Sequence, residues 1–324
     1  MSTTRPDARP VLVADIGGTH ARAGLVTEPG EPPTRVFRRP TRSFDGLAEF
    51  LAAALRELAP DPAPERALCA VASPLDHDPV ELTNAGWRFS PSAVASDLGL
   101  VQVALLNDWV AQGWAVTALG GRDQQVIHAG VAQTEAPRLA LGPGTGLGSA
   151  IITPCGKDWR VFASEGGHIS FAPQTARQRA IAEQIGQRFG HCSAERVASG
   201  LGIETIYRAI QAIDGREPVL DNAEAIARAG MEGDPVGREV LAHMTDALGN
   251  AAGDLALATG ARGGVYFGGG VIPALGEAFD WQRLRRAFLA KGRFSAYLEP
   301  VPIIAVTHPS AALLGLSASL RSGG

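Results

Sequence analysis

The segment Val11–Val26, with the sequence VLVADIGGTHARAGLV, decides the fold. Its first half is an apolar run that ends in Asp15-Ile16-Gly17-Gly18-Thr19, and its second half, Ala21–Val26, is again short and apolar. Short apolar runs bounded by glycine are typical of buried β-strands. The segment therefore predicts two strands joined by a tight glycine turn.

The same pattern recurs later in the chain. Arg138–Leu141 predicts a strand, GPGTGLG at Gly142–Gly148 predicts a glycine turn, and Ser149–Thr153 predicts a second strand. The two patterns lie about 125 residues apart, and an internal echo of this kind indicates two related lobes.

Elsewhere, strand-like apolar runs alternate with residues at helical spacing. The predicted strands are Leu68–Ser73, Val101–Leu106 and Val265–Phe267. The predicted helices are Phe44–Ala59, Trp109–Leu119, Ala176–Gly190, Ile203–Ile213, Val240–Thr259 and Ala311–Leu320. This alternation is typical of α/β proteins, in which ligands bind where strands end.

Length and composition restrict the class of function. The 324 residues, 45% hydrophobic and 19% charged, are typical of a globular protein with room for two domains. The net charge of −4 offers no basic surface for nucleic acid or an anionic membrane, so a small molecule is the expected partner. Cys69, Cys155 and Cys192 are widely spaced, which argues against disulfides and a zinc site. With no apolar stretch long enough for a membrane span or signal sequence, we expect a cytoplasmic protein.

The two glycine turns have the composition of phosphate-binding loops. Glycine lets several backbone N–H groups approach a phosphate with no Cβ in the way, and Thr19 and Thr145 add hydroxyl donors. Neither turn is a Walker loop, because no lysine follows it and Lys157 and Lys291 are the only lysines. The alternative is that the glycines only form tight hairpins. Asp15 favours phosphate binding, since its carboxylate is suited to hold Mg²⁺ through water; its own alternative is to cap the turn.

Two further groups of polar residues are suited to sugar chemistry. Asn107-Asp108 follows a predicted strand, where a carboxylate can orient an attacking hydroxyl and accept its proton. A helix N-cap is the alternative for Asp108. Glu165, His168 and Glu195 can make directional hydrogen bonds to hydroxyls. Their alternatives are a metal pair at Glu165 and His168, which no third nearby His or Cys supports, and a solvated helix position for Glu195.

These residues lie in blocks that closely resemble the bacterial glucokinase family, the hexokinase-type branch of the Hsp70/actin/sugar-kinase fold. The resemblance extends over nearly the full length, and the chain lacks the Cys-rich zinc motif of the related ROK kinases. The blocks that carry it, in the order of the family, are ADIGGTHARAGLV, LTNAGWRFS, LLNDWVAQ, LGPGTGLGSA, EGGHISFAP, SAERVASG, GGVYFGGGVIP and KGRFSAYLEPVPI.

The resemblance implies a role for each matching residue, with ATP and Mg²⁺ as cofactors. The nucleotide would contact a first loop, a second loop and an adenosine site, namely Ala14, Asp15, Ile16, Gly17, Gly18 and Thr19; Gly144, Thr145 and Gly146; and Gly268, Gly269 and Gly270. Asp108 would be the catalytic base, and Asp15 would hold the metal through water. The sugar would contact Asn84, Asn107, Asp108, Glu165, His168 and Glu195.

The implied fold is an α/β, ribonuclease H-like, actin-type sugar kinase with two lobes and the active site in the cleft between them. The expected small domain is residues 1–118 plus 309–324, and the large domain is 119–308. Pro143 and His308-Pro309 depart from the family's usual residues, so the resemblance supports nucleotide contacts less strongly at these positions. The expected activity is phosphorylation of D-glucose to glucose 6-phosphate, with a homodimer left open. The alternatives are a same-fold kinase for another hexose and a sugar-binding regulatory protein.

Overall fold

The computed structural model describes residues 9–73, 75–82 and 85–322. The strands are β1 Val11–Ile16, β2 His20–Val26, β3 Val36–Pro40, β4 Arg66–Val71, β5 Val80–Leu82, β6 Trp87–Phe89, β7 Gln102–Asn107, β8 Gln124–His128, β9 Arg138–Pro143, β10 Leu147–Cys155, β11 Asp158–Ser164, β12 Val265–Phe267 and β13 Ile303–Val306. The α-helices are α1 Leu47–Leu58, α2 Pro91–Leu98, α3 Asp108–Val116, α4 Ala176–Phe189, α5 Gly200–Ile213, α6 Ala223–Glu232, α7 Pro235–Thr259, α8 Val271–Leu275, α9 Trp281–Leu289, α10 Ser295–Leu298 and α11 Ala311–Ser319.

The first sheet has the strand order β3-β2-β1-β4-β7. β1 pairs antiparallel with β2 across the first glycine turn, and parallel with β4. β4 in turn pairs parallel with β7, and β3 pairs antiparallel with β2 at the other edge. The hairpin predicted around Gly17 and Gly18 is confirmed.

The second sheet repeats this arrangement. Its order is β11-β10-β9-β12-β13-β8. β9 pairs antiparallel with β10 across the second glycine turn and parallel with β12, which pairs parallel with β13. A hairpin followed by two parallel strands is therefore common to both sheets. This topology supports the internal repeat that the two glycine turns predict, and the mixed α/β class is confirmed.

The helices bury the faces that their apolar patterns indicate. The buried residues of α1 recur at helical spacing and form one apolar face, consisting of Leu47, Phe50, Leu51, Ala54 and Leu58. α11 is buried along its whole length, as expected of a helix that is apolar on all sides. It packs against α3, where Gly315 allows close approach: a Cβ there would lie 1.7 Å from the carbonyl oxygen of Ala111.

The described residues form two compact units. The first contains the residues up to Asp123, Gly156–Ala163 and the residues from His308 onward; the second contains Gln124–Cys155 and Ser164–Thr307. The expected domain boundaries at 118/119 and 308/309 stay a prediction. Among the helices of the described ranges, none combines the length and the apolar character that crossing a membrane requires.

Candidate active site

In the first unit, register places the two predicted functional segments at one edge of the sheet. Ile16 pairs with Val71 across β1 and β4, and Val71 pairs with Asn107 across β4 and β7. Neighbouring strands are about 4.8 Å apart, so the Cα atoms of Ile16 and Asn107 are separated by about 10 Å. The first glycine turn and Asp108 therefore leave the sheet at the same end, from the carboxyl ends of the parallel strands β1 and β7, with β4 between them.

Asp15 lies one residue before the end of β1 and faces Arg22 on the paired strand. Its Oδ2 lies 3.3 Å from a guanidinium nitrogen of Arg22, and the carboxylate side chain is 17% exposed. Burial raises the pKa of Asp15, and the neighbouring Arg22 charge partly opposes this rise. The carboxylate is thus paired with Arg22 within the sheet, and its expected role at the metal stays a prediction.

The carbonyl groups of the first glycine turn accept hydrogen bonds from Thr41, and the tip of the turn is exposed. Thr41 donates its hydroxyl to the Gly17 carbonyl at 2.6 Å and its backbone N–H to the Thr19 carbonyl at 3.0 Å. Gly18 and Thr19 are exposed. A turn that is anchored on its carbonyl side and exposed at its tip is suited to present donors to an anion.

The helix after β7 begins one residue earlier than predicted, and its cap is Asn107. The side-chain oxygen of Asn107 accepts hydrogen bonds from the N–H groups of Trp109 at 2.9 Å and Val110 at 3.2 Å. Asp108 is the first residue of α3, and its Oδ1 also accepts from the Trp109 N–H at 2.9 Å. The N-cap alternative for Asp108 is therefore wrong, because Asn107 fills that position.

In the second unit, the second glycine turn and the Gly268–Gly270 segment meet at one sheet edge. Leu141 pairs with Phe267 across β9 and β12, and the Gly268 N–H donates to the Leu141 carbonyl at 3.0 Å. Gly269 has φ +84°, and a Cβ there would lie 2.4 Å from the Pro143 carbonyl oxygen. Pro143, a departure from the family, is thus the last residue of β9 and packs against this glycine through its backbone.

The second glycine turn is also anchored from one side. The Gly144 N–H donates to the Gly146 carbonyl at 2.8 Å, and the Gly144 carbonyl accepts from the Gly200 N–H at 2.8 Å. Thr145 is exposed. Sequence reasoning did not single out Gly200; the signal was Ser199, whose side chain caps α5 and marks a helix N-terminus at this turn.

Glu165, His168 and Glu195 come together in the second unit. The Glu195 N–H donates to the Gly167 carbonyl and the Ala194 N–H to the Ile169 carbonyl, both at 2.8 Å. This pairing sets the short turn that carries Glu165 and His168 beside Glu195. The side chains of Glu165 and His168 are 81% and 61% exposed, and Glu165 Oε2 lies 3.8 Å from His168 Nε2.

Glu195 differs from its solvated-helix alternative, which is wrong. It precedes α5, is half-buried, and accepts the Leu147 N–H through Oε2 at 3.0 Å.

Of the other predicted positions, Asn84 lies outside the described residues. In the His308-Pro309 turn, His308 Nδ1 accepts the Ser310 N–H at 3.1 Å.

Comparison with known proteins gives the family. The model of the glucokinase family matches residues 12–323. The chain belongs to the glucokinase family. It is 40% identical over 309 residues to the glucokinase of Paramagnetospirillum magneticum, covering 95% of this chain and 96% of that protein. It is 41% identical over 325 residues to the glucokinase of Chromobacterium violaceum, covering 99% of this chain and 92% of that protein.

Solved structures give the same fold. The crystal structure of glucokinase from an Antarctic psychrotroph superposes with a TM-score of 0.85 at 35% identity, covering 98% of this chain and all of that one. A ROK family glucokinase from Streptomyces griseus, in complex with glucose and AMPPNP, has a TM-score of 0.66 at 22% identity, covering 97% of this chain and 100% of that one. The sequence-based prediction of an ATP-dependent hexose kinase of the glucokinase family is confirmed.

Proposed function

We propose that this chain transfers the γ-phosphate of ATP to the 6-hydroxyl of D-glucose, with Asp108 as the base. The observation that carries the assignment is the register of the first sheet, which aligns Ile16, Val71 and Asn107 in one row. Phosphoryl transfer needs a carboxylate close to the phosphate loop. Asp108 starts α3 at the same end of the sheet as Gly17–Thr19, two strands away, which supports this role. The predicted cleft between lobes stays a prediction.

Asp108 would orient the attacking hydroxyl and accept its proton as the O–P bond forms. The bond between the γ-phosphorus and the bridging oxygen of ADP would break as the bond to the sugar oxygen forms, and the hydroxyl proton would pass to Asp108. Because Asn107 already caps α3, Asp108 is not needed for the cap.

Glu165, His168 and Glu195 would recognise the sugar hydroxyls, together with Asn107. Carboxylates accept and an imidazole donates or accepts, so the group can pair with several hydroxyls in fixed directions. The high exposure of Glu165 and His168 supports a role in ligand binding, because neither is committed to packing.

The exposed Thr19 and Thr145 and the backbone N–H groups around them would bind the phosphates. The glycines at 268–270 would contact adenosine. In the AMPPNP complex, the Streptomyces griseus protein binds an ATP analogue together with glucose, which supports the same pairing of ligands in this chain.

The residues present fit Mg²⁺ held mainly by phosphate oxygens and water. Within the described ranges, no group of three His, Cys, Asp or Glu side chains could hold a metal by itself. Asp15 supplies one carboxylate next to the first glycine turn, and its pairing with Arg22 favours contact through water over direct ligation. Bound there, Mg²⁺ would neutralise charge on the transferring phosphoryl group.

A coupled ADP-release assay across glucose, mannose, fructose and N-acetylglucosamine tests the assignment. We expect kcat/KM for glucose to exceed that for each other hexose. A higher value for another hexose would assign the site to that sugar. Glucose binding by calorimetry with no ADP release would indicate a sugar-binding regulatory protein.

A further inference from the structure

The Glu195 carboxylate contacts the second glycine turn directly. Its Oε2 accepts the Leu147 N–H at 3.0 Å. The same oxygen fills the space beside Gly146, where a Cβ would lie 2.2 Å from it. A residue expected to bind sugar therefore packs against the turn expected to bind phosphate.

The residues that follow Glu195 hold the other end of this turn. Ser199, which is fully buried, donates its hydroxyl to the Glu195 carbonyl at 2.7 Å. The next residue, Gly200, donates its N–H to the Gly144 carbonyl at 2.8 Å. Residues 195–200 thus contact the turn at both ends, with the carboxylate at one end and a backbone amide at the other.

We propose that Glu195 is a positioning residue that couples sugar binding to nucleotide binding. The inference rests on the proposed function. The carboxylate fixes the turn through Leu147, but its negative charge also opposes a polyphosphate at Gly144–Gly146. A sugar hydroxyl that donates to Glu195 disperses this charge and holds the side chain in place. Sugar should therefore tighten nucleotide binding, and by linkage nucleotide should tighten sugar binding by the same factor.

Two glycine substitutions in the same turn provide a matched test. Neither Gly144 nor Gly146 has a positive φ, so alanine is compatible with the backbone at both positions. At Gly146 the added Cβ would displace the Glu195 carboxylate, whereas at Gly144 it would meet nothing within 4 Å. The variants therefore differ in whether Glu195 must move.

We expect Gly146→Ala to raise KM for glucose about 10-fold or more, the scale of one lost hydrogen bond to a charged group. A substitution in a turn that contacted only the nucleotide would not be expected to raise KM for glucose. Gly144→Ala should leave KM for glucose within about twofold of the parent value, whatever its effect on KM for ATP.

The second readout is direct binding of AMPPNP with Mg²⁺ by isothermal titration calorimetry, without and with saturating glucose. We expect the ratio of the two Kd values to be about fivefold or more in the parent and in Gly144→Ala, and close to one in Gly146→Ala. Glu195→Gln keeps the side-chain shape and removes the charge, so it should also lower the ratio if Gly146→Ala does not fold.

The proposal is overturned if Gly146→Ala or, where that variant does not fold, Glu195→Gln keeps the parent's ratio. It is equally overturned if the parent ratio is one, or if Gly144→Ala loses the ratio as well. A parent that does not phosphorylate glucose would instead remove the proposed function. An active parent whose ratio survives these substitutions removes only the coupling.

Discussion

At the scale of single residues, Asn107 caps a helix whereas its neighbour Asp108 is expected to act in catalysis. Asn107 caps α3 with two hydrogen bonds, so the helix does not need the neighbouring carboxylate as its cap. An Asp in the first helical turn interacts favourably with the helix dipole, but this contributes only about 0.3–1 kcal/mol. The cap and the helix dipole therefore give the Asp108 charge only a small share in starting α3.

We predict that Asp108→Asn lowers kcat by about 10²–10⁴-fold, the range for losing a positioned general base, while glucose still binds. Steady-state kinetics measure the change in kcat, and the shift of thermal unfolding by glucose measures binding. The control is Asp97→Asn on α2, which removes an exposed carboxylate of the same unit and should leave kcat unchanged. Near-normal turnover in Asp108→Asn would exclude Asp108 as the base.

We predict that Thr19→Val and Thr145→Val raise KM for ATP more than KM for glucose. Both threonines are exposed at the tips of glycine turns, where their hydroxyls can reach phosphate oxygens. The two KM values from one kinetic matrix provide the test. A rise confined to the KM for glucose would contradict the assignment of both turns to the nucleotide.

We predict that His168→Ala lowers kcat/KM for glucose and narrows the preference for glucose over one deoxyglucose. A site that hydrogen-bonds a hydroxyl rejects the sugar that lacks it by up to about 10⁴-fold, because the polar groups that the bound sugar covers lose their partner. In His168→Ala the hydrogen bond to that hydroxyl is absent for both sugars, so the missing hydroxyl of the deoxyglucose costs less. Assays with a series of deoxyglucoses measure it, and an unchanged preference for every sugar would give His168 a structural role.

At the scale of elements, the contact between α11 and α3 depends on glycine. Gly315 places the α11 backbone against Ala111 of α3, the helix that starts at Asp108. Gly186 in α4 is also helical, but nothing lies within 4 Å of a Cβ built there. The same substitution should therefore have opposite effects at the two positions.

We predict that Gly315→Ala destabilises the protein by about 1–3 kcal/mol, the range for overpacking a core. Gly186→Ala should stabilise it by up to about 1 kcal/mol, because alanine loses less backbone entropy than glycine in a helix. Urea unfolding of both variants gives the two free energies. Equal shifts in both would mean that the α11–α3 contact is not close packed.

At the scale of the whole molecule, His243 links stability to pH. Its side chain is 13% exposed and lies 3.4 Å from Glu239. Burial lowers the pKa of His243, which outweighs the opposing effect of Glu239 and Asp246, while Arg283 adds to the lowering. The unfolded chain therefore binds a proton at higher pH than the native protein does.

We predict that the free energy of unfolding decreases as pH falls from about 7 to 5, because the unfolded state takes up the His243 proton first. The contribution is fully present above the unfolded pKa of 6.5 and is lost as pH falls through the lower native pKa. His243→Gln should make the decrease shallower, as measured by chemical unfolding across this range. His77→Gln, at a side chain that is 84% exposed, should keep the parent's slope; an unchanged slope in His243→Gln would exclude the linkage.

The sequence alone was enough for the local elements around the site. Both glycine hairpins, the strands that precede Asp108 and Gly268, and the α/β class follow from apolar runs and turn residues within short windows. Some readable signals were missed. α7 begins at Pro235, before the predicted Val240, and its start is marked by an Asp234 cap followed by proline.

Only the tertiary structure decided which residues meet. The row of Ile16, Val71 and Asn107 depends on sheet register, which no single strand encodes, because pairing is chosen by packing over the whole sheet. The contact of Glu195 with Leu147 joins residues 48 positions apart. Local sequence set the composition of each turn. Long-range backbone pairing determined that the Glu195 carboxylate, expected to bind the sugar, supports the turn at Gly144–Gly146 that is expected to bind phosphate.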